Sequence, residues 1–463
     1  MKRARPGRNL LLATASLAAL VPAALLAQEG TGARGTFSFA TGLEFSDNKR
    51  LDPVTFGDTI TSVTDLGFVL ESETRSQRLR FAADGRLEGS SGDGATIEDE
   101  FRLSTEDINL GYVRLGANSR LSFDAGYSRN EVQDDFRGFF IDGNFDPQAL
   151  LVDGGEVDRQ RFRASIETGL EGPLGLELTA LRRDRNYRET SDPNLSDLTF
   201  SSLEGIARFR TRPDLSYRAR LGATREEEVS IIERESDVDF IGFGVETETA
   251  GGLTVIGDVL IDDVEAKTEG ITTTREDGVG IELALLQDRL NGGYGANFTS
   301  RIDGAGRRTT ASVSREFEFP TGAFSFSLGV VDQRDGDAGF TAGLDFFRQT
   351  PIGRVTANIT QRPTTRVDEA FLNTSISLGI ERELSPVSEI GATFRYGRSR
   401  GLTNIDDDIN SRTQLGVTYT RDITKDWGFV AGYEYTATND DDVPRATRNT
   451  FFFNIGRDFD FGF

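Results

Sequence analysis

Four arginines stand in pairs two residues apart, Arg208 with Arg210 and Arg218 with Arg220, on either side of a short connector at Arg212–Leu215. A spacing of two places side chains on one face of a pleated strand, so the four guanidiniums belong to one face of one hairpin. Arg161 and Arg163 repeat the spacing upstream. Grouped guanidiniums hold carboxylates or phosphates through paired N–H donors. Two arrangements follow: a basic band that tunes the charge preference of a passage, or an ion-pair ladder in which Glu167, Glu177 and Glu204 neutralise the cations across strands. The ladder is the favoured reading, because charges on an inward face are usually compensated.

Other chemistry is narrowly bounded. The chain contains no histidine and no cysteine. That removes Ser-His and Cys-His couples, thiolate nucleophiles, histidine or thiolate metal sites and disulfides. Only carboxylate chemistry is left, and no motif for it is present, so the expectation is a protein without catalytic residue, metal ligand or cofactor. The acid runs Glu226-Glu227-Glu228, Asp406-Asp407-Asp408 and Asp440-Asp441-Asp442 lack EF-hand spacing and read as solvated loop charge. Gly278 and Gly280 copy a fragment of a dinucleotide loop, but no helical pattern follows them.

What positions the arginines is a pattern of period two. Phe37, Phe39, Leu43 and Phe45 share one parity against Ser38, Gly42 and Glu44. Leu121, Phe123, Ala125 and Tyr127 oppose Ser122, Asp124 and Ser128, and Tyr217, Ala219 and Leu221 oppose the arginine pair 218 and 220. After residue 30 no apolar run reaches the roughly 20 residues of a spanning helix. The alternation instead gives about 22 segments (range 18–24) of about ten residues, the length of a tilted strand crossing a bilayer. The least marked are those near Ile108–Val113 and Leu253–Ile261, the latter apolar on both faces.

Connector lengths alternate too. Short turns fall at Ser72–Ser76, Ala117–Ser119, Glu171–Gly175, Arg212–Leu215, Ala250–Gly252, Pro320–Gly322 and Thr350–Gly353. Long polar loops fall at Asp47–Asp58, Glu88–Glu106, Arg129–Gln160, Asp184–Asp197, Glu226–Asp237, Gly401–Asn410 and Asn439–Arg445. Short periplasmic turns and long extracellular loops are the pattern of a transmembrane, antiparallel, up-and-down β-barrel in a bacterial outer membrane. Aromatics sit where interfacial girdles belong: Tyr217, Tyr294 and Trp427 beside short turns, Phe45, Tyr396 and Tyr435 beside long loops. Lys2, Arg3, Arg5 and Arg8 followed by an apolar run from Leu10 to Leu26 read as a signal peptide, residues 1–27, cut between Ala27 and Gln28. Its loss takes the formal net charge from −23 to −27, which argues against nucleic acid as a partner.

The final segment is apolar at Phe451, Phe453, Ile455, Phe459, Phe461 and Phe463. A terminal phenylalanine closing such a run resembles the recognition signal of bacterial outer-membrane proteins. The resemblance implies that Phe459, Phe461 and Phe463 are read by the barrel-assembly machinery. The stretch Gly42–Asp52, GLEFSDNKRLD, is similar to the opening of the β-barrel porins associated with exopolysaccharide loci. Large receptors of similar strand number carry an amino-terminal plug and an energy-coupling box. The first strand here begins about eight residues after the expected cleavage site, so residues 28–463 are expected to form one barrel without plug or periplasmic domain.

The longest connector, Arg129–Gln160, holds Phe136, Phe139, Phe140 and Phe145 among Asp134, Asp135, Asp142 and Asp146. Surface loops seldom carry so many large apolar groups. Phe136, Phe139, Phe140, Asp142 and Asp146 therefore form either a constriction folded into the lumen, similar to the third loop of general porins, or a compact loop packed on its own aromatics. Two function classes stand. One is a porin-like passive channel for hydrophilic solutes, and the other is a non-catalytic accessory or structural protein of exopolysaccharide export. Expected partners are outer-membrane lipid and lipopolysaccharide, the assembly machinery, and a hydrophilic solute or polysaccharide. Amino-terminal sequencing of membrane-extracted protein is expected to begin at Gln28, and an intact Met1 in outer-membrane fractions would remove the signal-peptide reading.

Overall fold

Twenty-two antiparallel strands, each hydrogen-bonded to the next in sequence, form one sheet. The sheet closes where β1 (Arg34–Ser46) pairs with β22 (Ala446–Gly462), in register from Arg34 opposite Gly462 to Ser46 opposite Thr450. This computed structural model describes residues 32–462 apart from 56, 93–101, 144–145, 270–273, 335, 403–409 and 440–443. The expected signal peptide, Phe463 and the acid runs at 406–408 and 440–442 lie outside the described residues. The chain is an all-β, closed, up-and-down outer-membrane barrel, as its alternation predicts.

Strand parity sorts the two faces. On β9 (Leu215–Val229), Tyr217 and Leu221 point outward and are about half exposed, while Arg218 and Arg220 face the lumen. Leu176 and Leu178 on β7 (Leu174–Arg188), Leu203 and Phe209 on β8 (Asp197–Arg212), and Val259 and Ile261 on β11 (Leu253–Thr268) continue the same exposed apolar band. Apolar side chains exposed in rows are costly in water and at rest in hydrocarbon. β11 is apolar on both faces because Leu260 points inward into a fully buried position between Asp258 and Asp262. On β22, Phe459 lies 6.1 Å from Phe37 and Phe461 lies 6.2 Å from Phe68 (ring centroids), so both phenylalanines pack on the outer face across the seam.

Strands run from 12 to 17 residues, longer than the ten expected. The excess lies mostly at the rim opposite the short turns, where both faces are wet and polar residues continue the ladder. This corrects the reading of Glu226–Asp237 as a long loop. β9 and β10 (Glu233–Glu248) are joined by residues 230–232 alone, and the acid run 226–228 is strand, with Glu226 and Glu228 turned into the lumen. Two further connections at this rim are two-residue turns, Gly304–Ala305 and Val367–Asp368. Gly278 and Gly280 lie within β12 (Thr274–Arg289).

Parity is therefore testable by one pair of substitutions. Leu221→Arg places a cation in lipid near mid-strand and is expected to lower barrel stability by about 2–4 kcal/mol. Thr179→Arg, on the inward parity of β7 opposite Glu204, is expected to cost less than about 1 kcal/mol. Urea titration of protein refolded into vesicles reads both, and equal costs would mean the register is wrong.

Candidate functional site

The connection between β5 (Ser119–Glu131) and β6 (Glu156–Thr168) carries two short 3-10 segments, Val132–Gly143 and Pro147–Leu150. The second starts where its sequence dictates. Pro147 supplies a fixed φ at the first position, and the Asp146 carboxylate accepts from the Gln148 amide at 3.2 Å. Phe136, Phe139, Ala149 and Leu150 bury one another, with the two rings 6.5 Å apart. This cluster rests on β19 (Ser388–Gly401). A Cβ on Gly397 would come within 2.9 Å of both Phe139 and Leu150, so glycine sets how closely the segment approaches the wall.

Charged anchors hold the segment from opposite walls. On the near side, Arg159 of β6 pairs with Asp135 and with Asp146 (2.9 Å), and Arg185 of β7 also pairs with Asp146. On the far side, Arg412 of β20 (Asn410–Asp422) donates to the Gln133 carbonyl and lies over the Phe136 ring at 5.2 Å. Arg448 of β22 pairs with Asp134 at 2.8 Å. The segment is thus a chord between separate walls near the rim of the longer loops, and it packs on its own aromatics as well. Burial alone would raise the Asp146 carboxyl, but the guanidiniums of Arg185 and Arg159 outweigh it and hold the group well below the usual carboxylate range. A depressed folded pKa stabilises above the unfolded value near 4 and is lost only as pH falls through the folded value, so this anchor persists at neutral and mildly acidic pH.

The chord continues into the rim. Gln148 donates to the Asn194 carbonyl (2.6 Å) and to Ser196 Oγ (2.8 Å), and Ser196 Oγ donates to Glu228 (2.6 Å). Arg366, at the end of β17 (Gly353–Arg366), reaches Glu228 with its Nε at 2.8 Å and Ser196 with its Nη2 at 2.9 Å. The hairpin of β17 and β18 (Glu369–Ser385) therefore leans inward. At its tip Val367 is fully buried with φ at +51°, in the left-handed region that β-branched residues avoid. A Cβ on Gly304 would overlap the Val367 carbonyl, so that glycine admits the tip.

The basic band is elsewhere and is compensated. Arg208 pairs with Glu177 at 2.8 Å. Arg210 donates to the carbonyls of Gly169 and Gly172 at the adjoining turn, at 2.8 and 2.7 Å. Arg218 meets Asp258 at 3.5 Å, and Arg220 meets Glu204, Asp258 and Glu282 at 2.8, 3.1 and 2.6 Å. Arg301 extends the lattice through Asp262 and Glu282. Arg161 and Arg163 do not join these four. Arg163 is in register with Asp124 on β5, and Arg161 lines a cavity nearer the opposite rim.

Of the connector residues singled out by sequence, Phe136, Phe139 and Asp146 come together in the chord. Phe140 and Asp142 lie on its first 3-10 segment, and their side chains fall outside the described residues. The anchors Arg159, Arg185, Arg366, Arg412 and Arg448 had no distinguishing signal beyond inward parity near the longer-looped rim. Their partners are far off in sequence.

No family model and no curated protein matches the chain. Solved structures do match it in shape. The iron transporter FrpB of Neisseria meningitidis (F5-1 variant) superposes with a TM-score of 0.55 at 9% identity, over 94% of this chain and 83% of that one. The ferric enterobactin receptor PfeA of Pseudomonas aeruginosa, a Q482A mutant in complex with enterobactin, superposes with a TM-score of 0.51 at 10% identity, over 93% and 82%. At such identities the likeness is one of fold.

Arg220 tests the ladder. Its side chain is 11% exposed, and Asp258 beside it is 3% exposed. Arg220→Gln takes the guanidinium from Glu204 and leaves Asp258 to Arg218 and Glu282 to Arg301, and is expected to destabilise the barrel by about 1–3 kcal/mol. Adding Glu282→Gln should restore part of the loss in a double-mutant cycle. A single-variant loss below about 1 kcal/mol, the range of exposed pairs, would remove the ladder.

Proposed function

We propose that this protein is a passive outer-membrane channel for hydrophilic solutes, narrowed by the segment between β5 and β6. The observation that carries the reading is the chord itself: Asp146 is held by Arg159 and Arg185 from one wall, while Arg412 and Arg448 hold Gln133 and Asp134 from another. A barrel of 22 strands encloses a lumen too wide for wall side chains to fill. A segment spanning it sets the size limit, and the paired charges beneath it line the route with fixed dipoles. The iron transporter and the enterobactin receptor share the architecture, and their cargoes are not carried over by a likeness of shape.

Single-channel conductance in planar bilayers tests this. Deleting residues 136–151 is expected to raise conductance severalfold while the β-sheet spectrum is kept. Gly397→Leu gives a second measurement, because a side chain there would overlap Phe139 and Leu150 and push the segment off the wall. It is expected to change conductance while the β-sheet spectrum is kept. Conductance unmoved by the deletion, or no conductance in either form, would overturn the proposal.

A further inference from the structure

Beneath the chord, on the side of β6 to β10, lies a cavity of about 660 Å³. Its size is that of a small-ligand pocket. The floor and walls are supplied by β5 to β10 with Asp107 and Asn109 before them, the roof by Gly138, Asp146 and Pro147 of the chord, and the far side by the end of β17, the Val367 tip and the hairpin at Asp303–Arg308. Seven arginines and five carboxylates line it. In a chain whose formal net charge is −23, this is a local excess of cations, and it is enclosed by low-dielectric walls that strengthen its field.

The cations divide into two sets. Arg159, Arg185, Arg308 and Arg366 build the site, since the first, second and fourth hold the chord and the inward hairpin through Asp146 and Glu228, and Arg308 pairs with Asp303 at 3.0 Å. Arg161, Arg183 and Arg362 come from three different strands, β6, β7 and β17, and converge on the cavity from two sides. Arg183 lies over the Phe200 ring at 4.3 Å from its centroid. That stacking fixes the guanidinium plane while leaving its edge donors directed away from the ring. Leu198, Val238 and Pro363 complete the lining with apolar surface beside the charges. Planar donors converging from separate strands, one of them pre-set by stacking, are suited to an oxyanion bound by two or more N–H groups.

We infer that this cavity is a binding site for a small oxyanion-bearing solute, carboxylate or phosphoryl, captured just below the rim before it enters the wider lumen. The inference deepens the channel reading by naming the class of solute, yet binding can be read without any conduction. Calorimetric titration of the detergent-solubilised full-length protein with glucuronate, inorganic phosphate and glucose separates the cases. The expected result is saturable binding of glucuronate, phosphate or both, and none of glucose. Whichever anion binds identifies the oxyanion source. Replacing Arg161, Arg183 and Arg362 together by Gln should weaken that binding at least tenfold, and Arg161→Gln or Arg362→Gln alone should weaken it severalfold should the triple variant fail to fold. Lys267→Gln, which removes an equal charge from the outer face at the rim, should leave it unchanged. Absence of binding by both anions, equal binding of glucose, or a loss in Lys267→Gln matching that of the arginine variants would overturn the inference. Anion binding in a protein that passes no current would leave this site standing and remove the channel.

Discussion

The structure depends on one requirement, that every backbone N–H and C=O within the hydrocarbon be paired inside the protein. A sheet meets it only by leaving no edge. The seam between β1 and β22 is thus as necessary as any hairpin, although its residues are separated by most of the chain. Its outer face is packed by phenylalanines contributed from both ends of the sequence, Phe37 with Phe459 and Phe45 with Phe453. Ring contacts of this kind add modestly to each pairing. Their larger effect is on register, since a slip by one residue would turn the rings inward and put Asp458 and Asp460 against lipid.

Closure with 22 strands solves the edge problem and creates another. The resulting lumen needs structure of its own, built from residues whose parity forces them inward. Two solutions occur at different depths. Along the wall the charges neutralise one another: Arg218, Arg220 and Arg301 share Asp258, Asp262 and Glu282 over strands up to three apart. Toward the rim of the longer loops the chain crosses the space, and the pairing is between elements that are not neighbours in the sheet. Arg366 of β17 with Glu228 of β9 is one such pair, and Arg448 of β22 with Asp134 is another. The first kind stiffens the wall. The second kind holds the crossing elements in place.

That division explains how far the sequence could be read. Parity gave the faces, the strand number and the short turns, because each is a local property of period two. Glu204 as a partner of Arg220 followed from the same logic, since both sit on the inward parity of one hairpin. The apolar load of residues 136–151 marked that connector as unusual, but two destinations fitted it equally. What ties it to the far wall is Arg412 and Arg448, more than two hundred residues away in sequence, and nothing in their local context points back to Gln133 or Asp134. The rim misled for a different reason. Polar residues on both parities at Glu226–Asp237 look like loop, yet above the bilayer both faces of a strand are wet and the ladder continues unaided by any apolar face.

Placement of charge along the lumen follows from these two modes of filling. Ion pairs along one stretch of wall come in matched sets, because long side chains on the inward parity reach carboxylates one to three strands away. Where elements converge from different parts of the sheet, matching is not guaranteed by geometry. There the chord and the hairpin tip consume the carboxylates Asp135, Asp146 and Glu228 in holding themselves in place. Further arginines on the same strands line the space that the crossing elements enclose. The arginines and carboxylates that meet beneath the segment are thus set by how the segment is anchored. Anchoring and the charge pattern of the space it encloses are one property of the fold.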